Sequence, residues 1–288
     1  MEHCGPAPLP PKLPREPTWA MEADVLRRLN VNVLGKGDPT VVLGHGFGSD
    51  QTGWRHQVEA LAPRARVVLF DHVGCGKSDV SAYSPLRYDR LERYADDVIA
   101  LHDSLGLRDV TFVGHSMSGM IGVAASLARP DLFRQLVLVG ASPRYLNEPG
   151  YVGGFERADL DALYAAMASD YLGWANGFGP VAMANRDRPG LGEEFARTLA
   201  AMQPDIAQSV ARVIFESDLR ALLPSVSVPV LVLQSRNDIA VPVQVGEYLA
   251  RHIPRARMLL LNAEGHFPHL SAPSEVSAAI RELLGDAA

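Results

Sequence analysis

The sequence predicts an α/β fold with a mostly parallel central sheet, helices on both faces and an inserted all-helical lid. Short apolar runs of strand length alternate with helical segments in the first half of the chain, a pattern typical of parallel βαβ units. The alternation stops between Pro143 and Pro224, where several helical segments follow one another, and it resumes afterwards. We therefore expect a core formed by residues 23–142 and 225–288, with residues 143–224 as the lid.

The first 22 residues differ in composition from the rest of the chain. They contain six prolines, which fit neither a helix interior nor a strand ladder. We therefore expect residues 1–22 to form a solvated, disordered tail of polyproline character.

The elements of the core can be assigned in chain order. Residues 25–34 alternate loosely between apolar and polar side chains, and residues 40–43 form a short apolar run. These two patterns predict two strands before a glycine-rich turn at 44–48. The later strand runs are 66–70, 110–113, 136–139, 230–233 and 257–261. Helical spacing occurs at 54–61, 91–105, after the turn at 114–119 as far as about 129, at 243–252, and from 274 onward. Loops at the carboxyl ends of such strands are where open α/β sheets place their sites.

Composition restricts the classes of function. The 288 residues carry 27 Lys and Arg against 33 Asp and Glu, a net charge of −6, without any long block of like charges. Such a chain lacks the basic surface that a phosphate backbone needs, so we expect no nucleic-acid partner. No apolar run approaches the length of a membrane helix, and we expect no membrane segment. The only cysteines are Cys4 and Cys75, which favours a cytoplasmic protein with neither a disulfide scaffold nor a metal cluster.

The predicted lid is rich in aromatic residues. It contains 9 of the 20 aromatic residues of the chain, although it holds only 82 of the 288 positions. Its inner face could cover an apolar cavity, or these side chains could form a small core of the lid's own. The sequence leaves both interpretations open.

The strongest chemical signal is the segment 113–119, which reads Val-Gly-His-Ser-Met-Ser-Gly where a predicted strand passes directly into a helix. This context is typical of a nucleophile elbow, a tight turn that strains the serine backbone and presents its hydroxyl above the sheet. Small neighbouring residues let the strand and the helix approach each other. We predict that Ser116 is a nucleophile, although a motif of this length also occurs by chance.

A serine nucleophile needs an imidazole base, and that base needs a carboxylate that fixes its tautomer. Asp238 follows the strand run 230–233, and His266 follows the next strand run. Asp238 could instead cap the helix after it, and His269 is the alternative base, three residues beyond His266. We predict that Ser116, Asp238 and His266 form a catalytic triad.

The intermediate of acyl transfer carries a negatively charged oxygen, which needs two preorganised N–H donors. The backbone amide of Met117, directly after the nucleophile, is one predicted donor. The glycines around Phe47 let that loop bend toward the serine, so the Phe47 amide is the other, unless the loop is an ordinary glycine turn. The segment Gly74-Cys75-Gly76 lacks the third glycine and the helix of a dinucleotide site, and we expect no cofactor.

Several longer runs resemble a known family. They are residues 45–51, 70–74, 140–147, 153–156 and 265–271. These runs are similar to the α/β hydrolases that include the bacterial stress-response protein RsbQ and the plant strigolactone and karrikin receptors. The resemblance spans about residues 25–284, and it implies the α/β-hydrolase fold with a V-shaped lid of four helices over a hydrophobic pocket.

The resemblance also implies an activity and further site residues. It implies slow hydrolysis of small apolar esters or butenolide-type lactones, and a role in signalling through a protein partner. At matching positions, Trp174 and Phe178 would line the pocket from the lid, and Phe47, His115 and Phe267 would line it from the core.

Two functions therefore stay open. One is a serine hydrolase of small hydrophobic esters or lactones, and the other is a ligand sensor that binds, or hydrolyses once, a small apolar ligand. A carbon–carbon bond hydrolase would keep the same triad. The mechanisms of haloalkane dehalogenases and epoxide hydrolases use an aspartate at the nucleophile position, so Ser116 argues against them.

Overall fold

A seven-stranded sheet forms the centre of the protein in the computed structural model, which describes residues 18–285. The strands are β1 (Asn32–Leu34), β2 (Thr40–Gly44), β3 (Arg66–Phe70), β4 (Val110–His115), β5 (Phe133–Val139), β6 (Val230–Asn237) and β7 (Ala256–Glu264). Their order is β1-β3-β2-β4-β5-β6-β7, with β1 antiparallel to β3 and every other neighbouring pair parallel. The predicted fold class is confirmed.

Helices cover both faces of this sheet. They are α1 (Thr18–Arg28), α2 (Arg55–Leu61), α3 (Leu91–Ser104), α4 (Met117–Ala128), α5 (Arg157–Ser169), α6 (Tyr171–Met183), α7 (Pro189–Ala200), α8 (Pro204–Phe215), α9 (Val243–His252), α10 (Pro268–Ser271) and α11 (Pro273–Leu283). Successive strand residues point to opposite faces, so Val42 and Phe112 pack on the side of α3 and α4, whereas Val41 and Val113 pack on the side of α11. Within residues 18–285, no helix is long and apolar enough to cross a membrane.

The amino-terminal part differs from the sequence-based expectation. Residues 1–17 of the predicted tail lie outside the described residues, but residues 18–22 belong to α1. The helix continues to Arg28, so the strand expected from residue 25 is limited to β1. Pro17 is the last proline before Pro39, so the intervening backbone can make helical hydrogen bonds. The Arg28 guanidinium donates to the buried Asp97 on α3 at 2.8 Å and holds α1 against the core.

Four of the helices, α5 to α8, lie between β5 and β6 in the chain. Their buried apolar side chains, including Leu160, Phe195 and Ile214, belong to the same hydrophobic cluster as Val42 and Leu138 of the sheet. These helices therefore pack directly onto the core and do not enclose a separate core of their own.

Candidate active site

Ser116 stands between β4 and α4 in a backbone conformation that few residues other than glycine adopt. Its φ is 53° and its ψ is −120°, outside the helix and strand regions. A Cβ on Gly114 would lie 2.4 Å from the Ser118 carbonyl, and a Cβ on Gly119 would lie 2.5 Å from the Ala141 Cβ. The absence of a side chain at Gly114 thus lets β4 and α4 meet in the sharp turn that presents the serine hydroxyl, and its absence at Gly119 lets α4 approach the loop after β5.

The side chains of Ser116, His266 and Asp238 form a continuous chain of hydrogen bonds. Ser116 Oγ lies 2.9 Å from His266 Nε2, and His266 Nδ1 lies 2.8 Å from Asp238 Oδ2. Because a carboxylate only accepts, Nδ1 carries the proton and Nε2 is free to receive the serine proton. The Asp238 side chain is 0% exposed and that of His266 is 10% exposed, so little water competes for this pair.

Asp238 accepts from the histidine and closes a turn, but it does not cap α9, whose N-cap is Pro242. Its Oδ1 accepts hydrogen bonds from the backbone amides of Ala240 and Val241, at 2.8 and 3.1 Å, while its Oδ2 accepts from His266. The turn that Asp238 closes therefore also fixes the direction of its carboxylate toward the imidazole.

The alternative base, His269, lies away from the nucleophile. Its ring packs against Trp54 with the ring centroids 4.4 Å apart, and burial lowers its pKa to about 3. Among the described residues, the hydrogen-bond partners of Ser116 Oγ are His266 and Tyr145. The structure thus brings His266, and not His269, to the serine.

The loop after β2 passes beside the nucleophile. A Cβ on Gly46 would lie 3.1 Å from the Ser116 Cβ, so the loop backbone approaches the serine closely only because this position is glycine. The next residue along the loop is Phe47, and Met117 follows Ser116 in the chain. The loop that carries Phe47 therefore lies close to the serine, and the oxyanion role of the Phe47 and Met117 amides stays a prediction.

A buried hydrogen-bond network holds this loop in place. The Ser118 hydroxyl donates its single proton to the His45 carbonyl. Ser118 Oγ therefore accepts from the N–H of His72, whose Nε2 lies 2.6 Å away. The backbone amide of His72 in turn donates to His45 Nε2 at 3.0 Å. Burial lowers the pKa of His72 well below its ordinary value, so the ring stays neutral. The loops after β2 and β3 are thereby tied to the first turn of α4.

Ser116 faces a narrow cavity of about 30 Å³, room for a water molecule or two. The cavity is lined by Phe47, Ser116, Tyr145, Phe178, Phe195, Ile214, Phe215, Ala240, His266 and Phe267. Of the pocket residues implied by the family resemblance, Phe47, Phe178 and Phe267 reach the cavity. A ligand of ester size therefore requires some of these side chains to move.

Two of the expected pocket residues, Trp174 and His115, do not line this cavity. The Trp174 ring stacks on Phe178, with the centroids 5.2 Å apart, and so restrains the Phe178 ring. His115 Nε2 donates to the backbone carbonyl of His266 at 2.8 Å, and burial keeps the His115 pKa well below its ordinary value. The role of these two residues in ligand binding stays a prediction; in this structure Trp174 stacks on Phe178, and His115 holds the loop of the base.

Tyr145 is a site residue that the sequence pattern does not single out. Its hydroxyl lies 3.4 Å from Ser116 Oγ, and the residue is 2% exposed. Burial raises the pKa of Tyr145, so the phenol stays protonated. The available signals are its place in the loop after β5, at the carboxyl edge of the sheet, and its position in the run 140–147 that resembles the family.

The residues that match a known family span most of the chain. The sequence pattern of the α/β hydrolase fold family matches residues 39–273. The chain belongs to this family. Within the described part of this α/β hydrolase, no group of three or more His, Cys, Asp or Glu side chains is placed to hold a metal ion.

Relatives of this α/β hydrolase include plant receptors and esterases. Karrikin insensitive 2 receptor CA of Petunia hybrida is 50% identical over 248 residues, which cover 86% of this chain and 92% of that protein. Strigolactone esterase D14 of Arabidopsis thaliana is 42% identical over 91% of this chain and 98% of its own. The solved structure of olei00960, a hydrolase from Oleispira antarctica, superposes with a TM-score of 0.89 at 37% identity, over 92% of this chain and 98% of that one. The family resemblance and the hydrolase class predicted from the sequence are confirmed.

Proposed function

We propose that this α/β hydrolase cleaves small hydrophobic esters or butenolide-type lactones through an acyl-enzyme on Ser116. The observation that carries the proposal is the hydrogen-bonded series of Ser116, His266 and Asp238 at the end of a cavity lined mainly by apolar side chains, five of them phenylalanines. An apolar lining favours apolar ligands, and the activated serine supplies the nucleophile. The names of the relatives, a strigolactone esterase and a karrikin receptor, support the same ligand class.

The geometry supports a two-step mechanism. Ser116 Oγ attacks the carbonyl carbon while His266 Nε2 takes its proton, and Asp238 stabilises the imidazolium. The amides of Phe47 and Met117 donate hydrogen bonds to the oxyanion of the tetrahedral intermediate. His266 then protonates the leaving oxygen. In the second step it activates a water molecule that hydrolyses the acyl-enzyme.

A second function, a ligand sensor, is supported by the word receptor in the name of a relative that is 50% identical. In that function the same triad would bind a small apolar ligand, or hydrolyse it once, and the protein would act through a protein partner. We place either function in the cytoplasm, since Cys75 is a buried free thiol of the kind a reducing compartment preserves.

A multiple-turnover assay separates the two functions. The purified protein is mixed with p-nitrophenyl acetate or with a butenolide probe, and product is followed from the first seconds onward. A hydrolase releases product linearly over many turnovers, whereas a sensor gives a burst of one equivalent followed by very slow release.

The matched control is Ser116→Ala, which removes the nucleophile and little packing. We expect this variant to lose esterase activity and covalent labelling by a serine-directed phosphonate, with its melting temperature retained. Labelling that persists in the variant would contradict the assignment of Ser116.

A further inference from the structure

The hydroxyl of Tyr145 is unusual among the groups that face the cavity. Of the ten described lining residues, seven are apolar, and the polar ones are Ser116, His266 and Tyr145. The Tyr145 ring packs edge-to-face against Phe215, with the centroids 5.0 Å apart, and this contact restrains the ring that carries the hydroxyl. A buried hydroxyl in an apolar cavity costs free energy unless it has a hydrogen-bond partner. The partner that the structure shows among the described residues is Ser116 Oγ.

Acylation of the serine removes that partner. In the free enzyme the Ser116 proton is shared with His266 Nε2, so the Tyr145 O–H is the donor to Ser116 Oγ. In the acyl-enzyme, Oγ becomes the bridging oxygen of an ester, whose lone pair is delocalised into the carbonyl and accepts weakly. Tyr145 is then left without an acceptor unless the ligand supplies one.

The topology shows which part of the ligand lies near Tyr145. The oxyanion loop follows β2, on one side of β4 in the sheet. Tyr145, Asp238 and His266 follow β5, β6 and β7, all on the other side of β4. Since His266 protonates the leaving oxygen, that oxygen departs on the side of Tyr145.

We propose that Tyr145 is the binding group for the oxygen released on lactone ring opening, and that it stabilises the acyl-enzymes of lactones over those of open-chain esters. This inference rests on the proposed hydrolase function. Attack by Ser116 forms the new C–O bond, the ring C–O bond breaks, and the ring oxygen takes from His266 the proton that Ser116 gave up. The hydroxyl so formed stays tethered to the acyl group and accepts from Tyr145, whereas an open-chain ester loses its alcohol to solvent.

The hydrogen bond also acts on the reverse reaction. A tethered hydroxyl can attack the acyl carbon again and close the ring, which returns the lactone and frees Ser116. A hydroxyl held by Tyr145 is directed away from that carbon. The acyl-enzyme then persists until water hydrolyses it to the hydroxy acid.

The test compares the wild type with Tyr145→Phe on two ligands whose acyl groups have the same five-carbon chain. These are γ-valerolactone and methyl pentanoate, and only the first leaves a hydroxyl on the acyl group. Intact-protein mass spectrometry after acid quench measures the ratio of acylated to free enzyme in the steady state. An opened lactone adds its whole mass to the protein, so the adduct is unambiguous.

We expect Tyr145→Phe to lower this ratio for the lactone by a factor about 5 to 10 larger than for the ester, as the loss of one hydrogen bond predicts. Any effect of the substitution on the attack by Ser116 should be the same for both ligands. The difference between them therefore measures the hydrogen bond from Tyr145 to the retained hydroxyl. The matched control is Tyr171→Phe, which removes a buried hydroxyl whose partner is the Leu199 carbonyl within the lid helices. In the control variant, the ratio of acylated to free enzyme should change by the same factor for both ligands.

Equal losses for the two ligands, or no loss, would overturn the inference while the proposed function stands. A wild-type protein that forms an adduct with neither ligand and resists the serine-directed phosphonate would refute the proposed function, and the role of Tyr145 with it. Melting temperatures of both variants show that the folded enzyme is being compared.

Discussion

Replacing Gly265 by alanine should disturb the catalytic base while most of the fold remains. Gly265 directly precedes His266, its φ is +84°, and an added Cβ would lie 2.0 Å from the carbonyl oxygen of Met183, the last residue of α6. That oxygen belongs to the backbone and cannot rotate away as a side chain could. Either the loop of His266 or the end of α6 must therefore shift by more than an ångström.

The loss of stability follows from two contributions. A left-handed backbone costs an alanine about 1–2 kcal/mol. The amide of His266 donates to the Ala182 carbonyl at 2.8 Å, and loss of that hydrogen bond adds about 0.5–1.5 kcal/mol. The sum is well below the roughly 5–15 kcal/mol that stabilises a typical folded domain, so the variant should fold. A catalytic group misplaced by about 1 Å reduces the rate on the order of 10²-fold, which is the loss of kcat that we expect.

Gly37→Ala is the matched control. Gly37 has the same φ of +84°, and nothing lies within 4 Å of the Cβ that alanine would add. Both variants should be less stable in urea unfolding, but only Gly265→Ala should lose kcat with p-nitrophenyl acetate. If the two folded variants turn over at the same rate, the contact between α6 and the His266 loop has no part in placing the base.

Three further predictions concern the triad, the aromatic residues of α6 and the buried histidines. Asp238→Asn should keep ligand binding, measured by thermal shift, and lose on the order of 10⁴-fold in turnover, because an amide no longer selects the imidazole tautomer. Phe178→Ala should change the relative rates on short and bulky esters, whereas Trp174→Ala should mainly lower the melting temperature. Stability should fall as the pH drops below about 6.5, the pKa of a histidine in the unfolded chain. Burial lowers the pKa of His102 to about 4 and that of His269 to about 3 in the folded protein. As the pH falls, these histidines bind protons in the unfolded chain before they do so in the folded one, which favours unfolding. Urea unfolding between pH 7 and 4 measures the slope, which His102→Gln should reduce.

The residues that the structure joins as a triad could be located from the sequence because each follows a strand. Ser116, Asp238 and His266 come after β4, β6 and β7, and the carboxyl ends of parallel strands share one edge of the sheet. Tyr145 follows β5 at the same edge, but its loop contains other polar residues, such as Ser142 and Arg144. Nothing in the spacing shows which of them turns toward the serine.

Residues carried over from a family match specify positions and not side-chain directions. The family resemblance implies that Trp174 and Phe178 both line the pocket, and their spacing of four residues places them on one face of α6. In the structure, Phe178 lines the cavity, whereas Trp174 does not line it and stacks on the Phe178 ring. Which side chain on this face of α6 reaches the cavity depends on how the helix packs against its neighbours, and the local sequence does not encode that packing.

The error at the amino terminus has a similar origin. Val25, Leu26 and Leu29 fit a loose strand pattern as well as a short helix, and α1 is held in place by an ion pair between Arg28 and Asp97. Those two residues are 69 positions apart, so the contact that stabilises the helix is tertiary. Short apolar runs of this kind cannot be assigned from periodicity alone.

Helix α6 serves the cavity and the base at the same time. Phe178, near its middle, lines the cavity, and the Ala182 carbonyl, near its end, accepts from the amide of His266. Because the cavity has room for only a water molecule or two, a bulky ligand must displace part of this wall, and a rigid helix passes the displacement on to Ala182. We therefore expect a ligand that fits without moving α6 to keep His266 aligned and to be turned over, and one that pushes α6 outward to move the base and to be hydrolysed slowly. Turnover of esters of increasing size should then fall faster than their binding, because one helix positions both the cavity wall and the base.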